Sequence, residues 1–205
     1  MSLHLFISHV SESKQLASQI AKSLGLHNIE AFVAHEDIQP TAEWQLEIEA
    51  FLDKMDCRLC LLNTGYSSSV WCNQEIGVCF GKSIPLISLR MEEDPKGFIG
   101  KWQAYTPGQP FDMDVEVWKI LNLIYNKAKE SDSIRAWVIQ NLHTSGSFAE
   151  SNELLDTLEN IELNEAEINS IQEAFQKNTQ VKGSNSITKV LNKQWLSNEL
   201  GWKVE

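Results

Sequence analysis

Two periods of apolar recurrence alternate along the first 130 residues. Leu3, Leu5 and Ile7 alternate with His4 and Phe6, the period of a strand. Ser11 then offers an N-cap, Glu12 suits the positive end of a helix dipole, Leu16, Ile20 and Leu24 recur at helical spacing, and Gly25 closes the helix. Residues 29–33 form a second strand, and Pro40-Thr41 opens a helix whose Trp44, Ile48, Phe51, Leu52 and Met55 make one apolar stripe. Residues 58–62 are a third strand, 63–69 a polar turn, and 70–80 a third helix ended by Gly81. A fourth strand covers 84–89, with Pro85 near its start, where a missing N–H is best tolerated. A loop with Pro95 and Gly97 leads to a short fifth strand near 103–105, and 114–129 is a final amphipathic helix. Strands alternating with helices at this spacing predict an α/β fold, a parallel sheet with helices on both faces. Ligands of such sheets sit outside the carboxyl ends of the strands. Functional side chains are therefore expected from Ser8-His9, from 34–40 and from Asn63 to the start of the third helix.

Beyond residue 131 only helical stripes remain. They run through Ile134, Trp137 and Val138; Phe148, Leu154, Leu155 and Leu158; Ile168, Ile171 and Phe175; and Val190, Leu191, Trp195 and Leu200. The expected organisation is a domain over 1–130 followed by a small all-α domain of four short helices over 131–205. The second part has no metal-ligand spacing, glycine-rich loop or nucleophile-base pair, so it speaks for interaction rather than chemistry.

Charge and composition narrow the partners. The chain of 205 residues holds 17 Lys and Arg against 28 Asp and Glu, a formal net charge of -11, with acid excess in both parts and no basic run. Such a field repels phosphate backbones and anionic lipid, so neither nucleic acid nor a membrane surface is expected as a partner. The start carries no basic segment followed by a long apolar stretch, and no apolar run approaches the ~18–20 residues of a membrane-spanning helix. A cytoplasmic protein is expected. Four cysteines cluster at Cys57, Cys60, Cys72 and Cys79, but the first two point to opposite faces of a strand and the others lie on the core stripe of a helix. They read as reduced, buried thiols rather than a zinc site.

The chemistry centres on the third helix. Trp71 and Glu75 are four apart and share one face, while Cys72, Ile76, Cys79 and Phe80 form the adjoining stripe against the sheet. Glu75 thus borders the core near the carboxyl edge of the sheet, with an indole as a stackable neighbour. An exposed glutamate on an amphipathic helix has the same spacing. The run Ser67-Ser68-Ser69-Val70-Trp71-Cys72-Asn73-Gln74-Glu75-Ile76-Gly77 resembles the catalytic helix of TIR (Toll/interleukin-1 receptor) domains of bacterial type. Phe6-Ile7-Ser8-His9 resembles that family's first-strand motif, and residues 31–38 with Trp44 resemble its second strand and following loop. The resemblance covers residues 3 to about 105.

It implies a flavodoxin-like fold and, as in enzymatic members, cleavage of the nicotinamide-ribose bond of NAD as substrate, with no cofactor. Glu75 would be the catalytic carboxylate. Trp71 would stack on the dinucleotide, Phe6, Ser8, His9, His35, Asp37 and Trp44 would line or shape the pocket, and Trp102 would be a second wall aromatic or a core residue. The resemblance also implies self-association through TIR domains as dimer or filament, a downstream effector, and a setting of anti-phage defence or immune signalling. A non-enzymatic adaptor acting through homotypic TIR contacts is the alternative, and a nucleoside ribosyltransferase a third possibility. His35-Glu36-Asp37 diverge along an extended segment and make a poor metal site. A two-component receiver would need an acidic pair where Ser8-His9 stands and an aspartate where Asn63-Thr64 stands. The glycine fingerprint of a hydride-carrier site is absent.

Overall fold

The short apolar runs become four parallel strands. In the computed structural model, which describes residues 2–33 and 42–200 and the side chains of all of these but 42–44, 193, 194 and 197, they are β1 (Leu3–Ser8), β2 (Ile29–Val33), β3 (Cys57–Leu62) and β4 (Leu86–Arg90). Helices α1 (Lys14–Gly25), α2 (Ala42–Lys54) and α3 (Val70–Gly81) lie between them in sequence, and α4 (Met113–Tyr125) follows. The spatial order is β2-β1-β3-β4. The chain therefore moves outward through α1, then reverses and crosses β1 through α2 before continuing through α3. Right-handed crossovers place helices from the two directions on opposite faces, the flavodoxin-like arrangement expected from the sequence. In folds of this kind ligands bind in a crevice outside the carboxyl ends of the strands at such a reversal, here β1 and β3.

Register decides what faces that reversal. Paired positions on parallel strands send side chains to the same face, so Phe32, Phe6, Arg58 and Leu86 form one row across the sheet and Ser8, Cys60 and Ser88 another further along. Phe6 packs with Ile48, Phe51, Met55 and Cys79, and Cys60 and Leu62 pack with Tyr66, Cys72, Ile76 and Ile99, which makes this the face of α2 and α3. The other face presents Leu3, Leu5, Ile7, Leu59 and Leu61, all fully buried. An arginine in the first row is the one charged side chain among these apolar neighbours.

Three local features differ from expectation. The fifth strand is a single bridge in which Tyr105 pairs with Leu89, its amide donating to Ser88 and its carbonyl accepting from Arg90; Pro107, two residues on, has no amide to extend a ladder. Ser11 does not cap α1. It begins a 3-10 turn (Ser11–Ser13), and the hydroxyl of Ser13, the residue before α1, donates to Asn63 instead, at 2.6 Å. The helix foreseen over 114–129 is α4 to Tyr125, then a 3-10 turn (Asn126–Lys129).

The chain divides into compact units Met1–Ile124 and Tyr125–Glu205. Tyr125 belongs to the second because its ring packs on Trp137, 5.3 Å between centroids. That unit holds α5 (Asp132–Leu142), α6 (Phe148–Leu158), α7 (Glu165–Lys177), α8 (Thr179–Lys182), α9 (Ile187–Val190) and α10 (Lys193–Leu200), two single-turn helices more than the four expected. Asn178 explains the first extra turn: its amide donates to the carbonyls of Leu142 and Ser145 while its oxygen takes the amide of Gln180, which ends α7 and starts α8. Ser131, Ser147 and Asn164 cap the longer helices, and Ile134, Trp137, Leu154, Leu155, Ile171 and Phe175 fill the core between them.

The turn before α3 sets where that helix starts. Gly65 has φ of +93°, and the Glu93 carboxylate accepts the amides of Gly65 and Ser67. Ser69 then caps α3, accepting from Cys72. A Cβ at Gly65 would meet nothing within 4 Å, so Gly65→Ala is expected to cost only the backbone term, about 1–2 kcal/mol in chemical denaturation, without changing the fold seen by circular dichroism.

Candidate functional site

Glu75 lies inside the protein. Its position on α3 sends it toward the sheet between Cys72 and Cys79, and it is 4% exposed. The sequence placed it at the border of the core; the structure places it within. What makes this tolerable is Arg58, fully buried on β3, whose Nη2 pairs with Glu75 Oε2 at 2.5 Å. A carboxylate or guanidinium alone in such a place is strongly disfavoured, and each offsets part of the penalty of the other.

Ser8 and Tyr66 complete the cluster. The Ser8 hydroxyl donates to Glu75 Oε2 at 2.8 Å and accepts from Arg58 Nη2 and from the Tyr66 hydroxyl, at 2.9 Å for the latter. All three hydrogen-bonding positions of that hydroxyl are used. Arg58 Nη2 also lies 3.2 Å from both the Tyr66 hydroxyl and the Cys72 carbonyl. The guanidinium carbon stands 5.5 Å from the Phe6 ring, its neighbour in register, a cation held over an aromatic face. Because Ser8 is the last residue of β1, the carboxylate is fixed where the strand order reverses.

The surrounding groups have defined protonation. Burial by itself would pull the Arg58 guanidinium down, but Tyr66, Cys60, Glu75 and Cys79 outweigh it and hold the cation well above its ordinary value. Burial pushes the Tyr66 phenol up, so it stays neutral. Burial raises the Cys60 thiol, and raises Cys72 and Cys79 to about 11, Cys72 with the further influence of Glu75. All four cysteines are buried. Uncharged thiols are poor nucleophiles, so none of these cysteines is prepared for nucleophilic chemistry. Among the described residues no group of His, Cys, Asp or Glu is placed to hold a metal ion, and no helix is long and apolar enough to cross a membrane.

The other residues singled out in the sequence are distributed as follows. Trp71 is half-buried beside the cluster of Phe6, Phe51 and Cys79. His9 is 2% exposed, and its carbonyl accepts a contact from the Cys72 thiol. Trp102 is 44% exposed and packs on Phe80 at the far end of α3, 5.2 Å between centroids, with Phe98 on the same ring. The side chain of Trp44, and His35 and Asp37, lie outside the described residues. Ser8, Phe6, Trp71 and Glu75 thus surround one place, and Trp102 belongs to another cluster. Arg58 and Tyr66 did not stand out in the sequence. One arginine within Cys57-Arg58-Leu59-Cys60-Leu61-Leu62 was a signal, since a charge in a strand buried on both faces demands a partner.

A family model for the TIR domain matches residues 5–114, more than half of the chain. The chain belongs to the TIR-domain family. The match takes in the end of β1, all of β2 to β4 and α3, hence every member of the Ser8, Arg58, Tyr66 and Glu75 cluster of this TIR domain. Comparison with curated proteins returns no match.

Breaking one side of the buried pair leaves the other charge uncompensated. Arg58→Met and Glu75→Gln are each expected to cost about 3–5 kcal/mol. The double variant should cost less than the sum by well over 1 kcal/mol, a non-additivity that urea unfolding of the full chain measures.

Proposed function

We propose that this TIR domain cleaves the bond joining nicotinamide to ribose in NAD, with Glu75 as the catalytic carboxylate. The observation that carries the proposal is a buried glutamate fixed by Ser8 and Arg58 at the carboxyl end of β1, where ligands of such sheets bind. The chemistry suits a single anion. As the bond between the ribose C1′ and the pyridinium nitrogen breaks, its electron pair leaves with nicotinamide, which departs neutral and needs no proton. Positive charge develops on C1′ and the ring oxygen, and a fixed carboxylate stabilises it. Water then adds to C1′ and releases a proton, giving ADP-ribose; capture by a nucleophile of the same nucleotide would give a cyclic product. Half-buried Trp71 supplies aromatic surface beside the acid, with Phe6 packed beneath it.

Assembly belongs to the same proposal. The dinucleotide pocket is completed by a second TIR domain in a dimer or filament, the helical unit governs that assembly, and the setting is immune signalling or anti-phage defence. Purified full-length chain incubated with NAD should release nicotinamide, faster at high protein concentration or with crowding agent. Glu75→Gln should lower turnover by about a hundredfold or more, read by chromatography of the products. Full turnover by that variant removes the mechanism. An adaptor that works by TIR pairing alone would instead show no turnover in any assembly state and bind another TIR domain equally well with glutamine at position 75.

A further inference from the structure

Arg58 is a poor investment as a stabilising residue. Its Nη2 carries two hydrogens and has four acceptors around it, on Ser8, Tyr66, Cys72 and Glu75. Its Nε and Nη1, with three hydrogens between them, are buried and have no hydrogen-bond partner. A guanidinium chosen for stability would be matched along its planar edge, as in the bidentate pairs arginine forms with carboxylates. Here a single nitrogen carries every hydrogen bond to oxygen, with the thiols of Cys60 and Cys79 also beside the guanidinium, and it is aimed at one carboxylate oxygen and at the hydroxyl that holds the same oxygen. The remaining titratable groups shown around the pair among the described residues are Tyr66 of the turn, Cys60 of β3, and Cys72 and Cys79 of α3.

We propose that Arg58 is the positioning residue of this site: its Nη2, reaching across from β3, holds the Glu75 carboxylate in one place as an anion, ready to face a developing cation. The inference rests on the NAD-cleaving role of Glu75 for its kinetic consequence, but its physical core does not. Without the cation, a carboxylate so buried takes up a proton at higher pH, and turnover that needs the anion is lost as pH falls. The positive charge matters and the fork geometry does not, since only one nitrogen is engaged. Lysine, whose ammonium ends one bond short of Nη2, should therefore serve in place of arginine, contrary to the usual behaviour of paired arginines.

The test uses the full chain as wild type, Arg58→Met, Arg58→Gln and Arg58→Lys, each checked for folding by circular dichroism. Nicotinamide release is followed from pH 6 to 8, and the Glu75 carboxyl is titrated by carbon-13 NMR with glutamate labelling, its signal assigned by its loss in Glu75→Gln. In the neutral variants the ratio of kcat/KM at pH 8 to that at pH 6 should rise about tenfold or more over wild type. The Glu75 carboxyl should titrate at higher pH, and lysine should restore both. Arg58→Gln keeps a hydrogen-bond donor without charge, and carries the comparison if Arg58→Met does not fold. A wild-type pH profile and an unmoved Glu75 titration in a folded neutral variant would overturn the proposal. If Glu75→Gln keeps full turnover, or wild type has none, the NAD-cleaving role falls, while the NMR titration still decides what Arg58 does to Glu75.

Discussion

A cation and an anion, both removed from water, hold the centre of this TIR domain together. Arg58 stands in the first row of the sheet beside Phe6, and Glu75 descends from α3 to meet it. Neither can be accommodated there alone, so the pair constrains its surroundings: α3 must sit over the end of β1, Ser8 must end that strand, and the turn with Gly65 must deliver Tyr66 to the same hydroxyl. Apolar packing by Phe51, Cys72, Ile76 and Cys79 brings the elements near one another. The charges select the one arrangement in which they are matched.

Topology explains why the pair sits where a ligand would go. The order β2-β1-β3-β4 reverses direction between β1 and β3, and helices leaving the carboxyl ends of those strands diverge to opposite faces. Ser8 belongs to one of these strands, Arg58 to the other, and Glu75 to a helix that follows the second. A side chain fixed by both strands at the reversal is held by the two central strands of the sheet. That placement suits a site whose geometry has to survive binding.

Much of this was legible in the chain, because period-two and helical apolar patterns report directly on which residues face a core. Leu3, Leu5 and Ile7, the stripe Ile48, Phe51 and Met55, and the α3 motif from Trp71 to Glu75 identified the elements and the candidate acid. What escaped was set by side chains competing for hydrogen bonds. Ser13 gives its hydroxyl to Asn63 rather than to the start of α1, and Asn178 divides the end of α7 into a second turn. Such choices depend on partners fifty or thirty-odd residues away and leave no periodic trace. Arg58 escaped for a different reason: a single charge hardly alters the apolar average of its strand, although its position there was the strongest departure from pattern in the whole domain.

That departure bears on what kind of protein this is. A module that acts only through surface pairing gains nothing from a core anion, and apolar side chains of similar volume in place of Arg58 and Glu75 would serve stability as well or better. Burying three guanidinium hydrogens without partners adds to the penalty. Sequences depart from local consistency chiefly where function requires it. A chain that buries an anion, compensates it through one nitrogen, and sets it at the reversal of a parallel sheet next to a tryptophan departs from local consistency at the place where ligands of such sheets bind.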